Sequence, residues 1–190
     1  ASEWEDIDAL IEGKRKTPSF AEQNLRHEVA ITTAMMAQEK ALKKAAGYEL
    51  VFALRTSPVH EDLKETFDVT VTRTVTDFKT KKTVEKEAVR KGTVNPDMFC
   101  CWKNPDDTYA FFMDEMDLDS SNTKTFFEKL EDYYVYQSQG RFSRVAELFA
   151  NRYGFSLSDY KKASFRVRTF VQSHKNLARR RNGLFARSLL

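Results

Sequence analysis

An α+β fold is predicted by three observations along the 190-residue chain: an unbroken helical run from Phe20 to Ala46, a period-two alternation from Phe67 to Thr76, and a return to helical spacing beyond Asp117. Helices, then strands, then helices is the order of segregated elements. It predicts an antiparallel β-meander of four to five strands, flanked by N-terminal helices and followed by a C-terminal helical subdomain. The length suits one domain, divided here into a core over 1–154 and a basic helix and tail over 155–190.

Ser2 and Glu5 form a capping box, and Trp4, Ile7, Leu10 and Ile11 follow at helical spacing as far as Gly13, which predicts a helix over 3–12. A second capping box, Ser19 with Glu22, opens a helix over 20–46 that Gly47 closes. Its inner stripe reads as Leu25, Val29, Met36 and Leu42, and its length suggests a bridge to a partner or to another copy. Tyr48 to Arg55 is a strand, ended by Ser57-Pro58. Phe67, Val69, Val71, Arg73 and Val75 then alternate with Asp68, Thr70, Thr72, Thr74 and Thr76, and Thr83 to Val89 returns as the second arm of a hairpin. Met98–Lys103 and Thr108–Met116 are two more strands about the Asn104-Pro105-Asp106-Asp107 turn. Helices over 122–153, interrupted at Gly140 and stopped by Gly154, follow.

Charge is distributed unevenly. The last 36 residues hold nine Lys and Arg against the single acid Asp159, while the preceding 154 hold 22 basic and 27 acidic groups. A clustered positive field of this kind attracts polyanions. A final helix from Ser158 toward Arg180 would place Tyr160, Ala163, Val167, Phe170, Val171, His174, Leu177 and Ala178 on an apolar arc. Lys161, Lys162, Arg168, Lys175, Arg179 and Arg180 would share the opposite arc, with Arg166 at its border. Phe165 falls among those cations, where it could stack on a base as in single-strand binders, or dock against a neighbouring helix. Ser143–Tyr153, the turn at Gly154 and the helix from Ser158 also resemble a helix-turn-helix, in which the second helix would enter the major groove.

These features point to a non-enzymatic DNA- or RNA-binding protein, of proportions that fit a viral or phage accessory factor. Its phosphate contacts are expected from Lys161, Lys162, Arg166, Arg168, Lys175, Arg179, Arg180 and Arg181, with the hairpin tip Lys79, Lys81 and Lys82 as a second group and Phe165 as the stacking residue. The alternative is a self-assembling structural or adaptor protein that uses the long N-terminal helix, with residues 182–190 docking on another copy or on an acidic protein. A third reading is a Mg²⁺-dependent phosphodiesterase built on the acidic run Asp114–Asp119. Asp117 and Asp119 would carry its metal, but the acid and lysine expected on an adjacent strand are represented only by Asp62 and Lys64, in a predicted loop. Neither a metal site nor a cofactor is otherwise expected. No phosphate-cradling glycine loop, dinucleotide fingerprint or nucleophile elbow occurs. Cys100 and Cys101 are neighbours and cannot form an ordinary disulfide with each other, which suggests a reducing, intracellular compartment. No apolar run is long enough for a membrane span, and no membrane partner is expected.

Overall fold

The computed structural model describes residues 20–56, 61–76, 83–117 and 123–171. Its elements run α1 (Phe20–Lys44), β1 (Glu49–Arg55), β2 (Glu65–Thr76), β3 (Thr83–Val94), β4 (Met98–Lys103), β5 (Tyr109–Asp117), α2 (Thr123–Ser138), α3 (Phe142–Tyr153) and β6 (Phe165–Val171). Short 3₁₀ turns occupy Glu61–Leu63 and Tyr160–Lys162. The class is α+β, as the sequence predicts. The helix expected over 3–12 lies outside the described residues.

The strands divide into two sheets. β2 and β3 pair only with each other, from Glu65 opposite Val94 to Thr76 opposite Thr83. The second sheet has the order β1-β4-β5-β6, in which β1, β4 and β5 are antiparallel neighbours and β6 runs parallel to β5. A single meander is therefore not formed. The β2–β3 hairpin is inserted between two strands that pair directly, with Arg55 opposite Met98 across the gap it leaves in the chain.

Helices cover both faces of the four-stranded sheet. On one face Ala34 of α1 packs with Met98, Cys100 and Phe112. On the other, Tyr133 and Tyr136 of α2 and Phe142, Val145 and Phe149 of α3 pack with Phe52, Phe99, Phe111 and Met113. The stripe expected to face inward on α1 is corrected: Leu42 is buried, whereas Leu25 (64 % exposed), Val29 and Met36 look outward. The buried stripe contains Ile31, Ala34, Gln38 and Leu42, spaced three or four residues apart. Two of its members, Ala34 and Gln38, are easily passed over in a search for large apolar letters.

Gly92 shows how the hairpin docks on α2. A methyl group there would lie 2.5 Å from Val69 Cγ2 and 2.9 Å from Asp132 Oδ1, so only glycine admits this approach. Thr93 N–H donates to Asp132 Oδ2 (2.9 Å), and Arg90 pairs with Glu131 (2.6 Å) and Asp132 (2.5 Å). At the end of α3, Gly154 adopts φ 73°, the left-handed stop that its sequence position predicts.

The main correction concerns the C-terminus. The segment expected to continue a helix from Ser158 forms one short 3₁₀ turn, and Phe165–Val171 is then a strand along the free edge of β5. The second helix of the helix-turn-helix is therefore absent from the described residues. Phe165, Val167, Thr169 and Val171 also satisfy a period of two, and three of the last five strand residues are β-branched. Pairing with β5 resolves the ambiguity that the helical wheel leaves.

Candidate functional site

The local geometry begins with the antiparallel register of β4 and β5. Because Met98 lies opposite Asp114, Asp97 at the entry to β4 meets Glu115 and Met116 near the end of β5. Asp97 N–H donates to Asp114 O (3.0 Å), and Met116 N–H donates to Asp97 Oδ2 (2.7 Å). Pro96 precedes this turn and limits the backbone freedom of its neighbour. Asp97 is thus fixed by main-chain bonds on both sides.

Two helices close over this end of the sheet. α1 brings His27, whose Nε2 is 3.3 Å from Asp97 Oδ2, and α2 brings Lys129, which pairs with Glu115. Tyr133 donates its hydroxyl to the other Glu115 oxygen. The result is a cleft of about 240 Å³ with His27, Asp97, Glu115, Asp117 and Lys129 on its polar side and Met116, Phe126 and Leu130 on its apolar side. Each titratable group comes from a sheet end or a helix face that the core holds in place.

Burial and charge act in opposition here. The hydrogen bond that His27 donates to Asp97 raises the imidazole above its ordinary value, although partial burial works against it. Burial alone would raise Asp97, but its bonds from His27 and Met116 and the nearby Lys129 ammonium leave it below the usual carboxylate value. Burial dominates at Glu115 and, with Asp97 close by, pushes it up to about 7 despite Lys129. Asp97, Glu115 and His27 are the hard-oxygen and imidazole donors that could hold a divalent cation. Among the described residues no group of three His, Cys, Asp or Glu side chains is placed to hold a metal ion; His27 is paired with Asp97, and Glu115 with Lys129 and Tyr133.

Behind the cleft lies a second polar cluster. Asp114, fully buried, accepts from Arg168 Nε (2.6 Å) and Nη2 (2.7 Å), from Gln38 Nε2 (3.3 Å) and from Cys100 Sγ (3.4 Å). Arg168 also donates to Gln38 Oε1 (2.6 Å) and stands 4.0 Å from the Phe112 ring centroid and 4.7 Å from that of Trp102. This cluster ties β6, β5 and α1 together.

The sequence-selected residues are scattered relative to these sites. Phe165 packs edge-on to Phe142 (4.9 Å) and close to Tyr133 and Tyr136, so the docking alternative describes it and the stacking role does not. Arg168 is committed to Asp114. Arg166 is exposed on β6, while Lys161 and Lys162 are exposed in the 3₁₀ turn at the end of β6 away from the cleft. Lys162 pairs with Asp159 (3.6 Å). Asp117 lines the cleft, as the metal reading requires, whereas Asp62 pairs with Arg152 (3.2 Å). Lys79, Lys81, Lys82, Asp119, Lys175, Arg179, Arg180 and Arg181 lie outside the described residues. His27, Asp97, Glu115 and Lys129 were missed. The one local signal was Pro96-Asp97 before a strand, together with the acidic run that contains Glu115.

No protein-family model matches the chain, and neither a curated protein nor a solved structure resembles it significantly.

Proposed function

We propose that the protein is a divalent-cation-dependent phosphodiesterase acting on nucleic acid. The observation that carries this reading is the convergence of Asp97, just before β4, and Glu115 of β5 with His27 and Lys129 in one cleft. The sequence lacked a lysine two residues from an acid on a neighbouring strand. In this reading Asp97 would serve as the neighbouring acid and Lys129 of α2 as the lysine.

Asp97, Glu115 and His27 would hold the cation once the His27–Asp97 contact opens. A bound divalent ion polarises a phosphoryl oxygen and lowers the pKa of coordinated water. Lys129 is placed to stabilise the extra negative charge as water oxygen attacks phosphorus and the P–O bond to the leaving nucleoside breaks. One water proton is released in the attack, and the departing alkoxide takes up a proton.

Polyanion binding fits the same end of the molecule. β6 is parallel to β5 and Val171 lies opposite Asp117, so the chain leaves the sheet beside the cleft. In sequence it continues through Lys175, Arg179, Arg180 and Arg181 without an acid. Five of the nine cations in the last 36 residues thus come after β6 in sequence.

Cleavage of single- and double-stranded RNA and DNA oligonucleotides is the test, with Mg²⁺, Mn²⁺ or EDTA. Cleavage in at least one cation is expected, abolished by EDTA and reduced at least 100-fold in Asp97→Asn at little change in melting temperature. No cleavage of any of the four substrates in either cation would overturn the proposal. Binding without cleavage would favour the non-enzymatic reading.

A further inference from the structure

Arg55 lies at the same end of the sheet as Asp97, and nothing in the hydrolytic scheme above uses it. It is the last residue of β1 and lies opposite Met98, so it is one residue from Asp97 across the ladder. Its guanidinium contacts Glu28 Oε1 at 2.5 Å, and Glu28 is the neighbour of His27 on α1. The Arg55 side chain is 44 % exposed.

We infer that Arg55 grips a substrate phosphate adjacent to the scissile one, in competition with its present contact to Glu28. The inference rests on the phosphodiesterase reading and adds a named contact to it.

Three features support this. First, a guanidinium presents five donors in a planar fork suited to the bidentate geometry of phosphate. A contact to one Glu28 oxygen leaves most of that fork uncommitted; among the described residues Glu28 is its ion-pair partner. Second, the other Glu28 oxygen is buried without a hydrogen-bond partner, so the carboxylate does not meet the guanidinium as a closed bidentate pair. Such an arrangement orients the arginine while leaving donors for an incoming anion. Third, Arg55 ends β1 opposite Met98 and Lys129 pairs with Glu115 of β5, so both cations lie at the end of the sheet that carries the acids. A polynucleotide carries phosphates in series, and two such cations can hold its backbone while the carboxylates face one linkage.

A purely structural role for the Arg55–Glu28 pair predicts something different. If the pair only pins α1 to β1, removal of either partner has the same consequence. A phosphate grip makes the two variants diverge, because Glu28→Gln frees the arginine from a competing anion, whereas Arg55→Ala removes the ligand contact itself.

The experiment measures the affinity of the full chain for a single-stranded RNA oligonucleotide in EDTA, over a range of salt concentrations, beside cleavage in Mn²⁺. Arg55→Ala is expected to weaken binding about tenfold at low salt and to reduce the slope of log K against log salt by about 0.7, the share of one phosphate contact. Arg55→Lys should retain most of the slope, and Glu28→Gln should bind at least as tightly as wild type. An unchanged slope in Arg55→Ala overturns the inference, as does an equal loss in Glu28→Gln. If wild type binds and cleaves while Arg55→Ala behaves identically, the inference alone fails. If wild type binds without cleaving, the hydrolase reading fails and the slope still decides Arg55. If wild type neither binds nor cleaves, both fail.

Discussion

Replacing Arg168 with alanine should be among the most damaging single changes in the sheet. Its two bonds to Asp114, at 2.6 and 2.7 Å, are the charged contacts of a carboxylate with no exposed surface. After the substitution only the Gln38 amide and the Cys100 thiol remain as neutral donors within reach. Removing one partner of a buried ion pair typically costs about 3–5 kcal/mol, because the other charge stays behind without compensation. For a chain of this size, at roughly 2–4 °C per kcal/mol, that corresponds to a fall of about 6–20 °C in melting temperature. Contacts with the Phe112 and Trp102 rings are lost as well and push in the same direction. Urea denaturation of wild type, Arg168→Ala, Asp114→Leu and the double variant Arg168→Ala/Asp114→Leu measures the coupling directly. The double variant should be more stable than Arg168→Ala, since it removes both charges together. A cost below about 1 kcal/mol for Arg168→Ala, the magnitude of an exposed ion pair, would refute this reasoning. So would a double variant less stable than the single one.

Two further outcomes follow from burial. Phe165→Ala should destabilise the protein by roughly 2–4 kcal/mol, somewhat below the range for a fully buried phenylalanine, because the ring packs on Phe142, Tyr133 and Tyr136 while keeping some exposure; the salt slope of oligonucleotide binding should not change, and a lowered slope at unchanged stability would restore the stacking role. Burial pushes the Cys101 thiol up to about 12 from 9.0 and raises Cys100 further still, where the nearby Asp114 charge adds to the effect. At pH 8 the Cys101 thiolate fraction is therefore about a thousandfold below that of an ordinary cysteine. Iodoacetamide should label neither residue until the protein is unfolded, which intact mass spectrometry would show, and rapid labelling of the native chain would contradict the placement.

Legibility differed sharply between elements. α2 and α3 were readable because apolar residues recur at helical spacing as far as Gly140 and again as far as Gly154, whose positive φ angles of 67° and 73° serve as stops. The β2–β3 hairpin was readable from its threonine alternation. β6 was not, since Phe165–Val171 fits an amphipathic helix and an edge strand alike, and only the unpaired side of β5 selects the strand. Arg168 then changes meaning: a cation on a solvated helix face becomes the counterion of a buried aspartate. The cleft was the least legible feature. His27 and Asp97 are separated in sequence by β1 and the whole hairpin, and Lys129 comes from a helix rather than from the strand position where a sequence template would seek it. Asp117 is an acid at the end of β5, as the sequence suggests, but its neighbours in the cleft depend on the β4–β5 register.

The charges at the sheet end also constrain how the cleft can work. His27 answers Asp97 and Lys129 answers Glu115, so α1, β4, β5 and α2 are locked together by the same groups that would meet a cation and a phosphate. Removing charge from that end leaves a counter-charge stranded in a partly dry setting, which is why isosteric changes such as Asp97→Asn are more informative than truncations there. If Asp97 and Glu115 held a divalent ion, His27 and Lys129 would each need another partner, and a substrate phosphate would be a suitable one for Lys129. The lysine would exchange one anion for another, and the loss of the Glu115 contact would be offset by the contact to substrate. Such exchange favours occupancy of both sites over either one alone. Cation and polynucleotide binding are therefore expected to be mutually reinforcing, by equal factors in both directions, because the coupling is a property of the shared side chains.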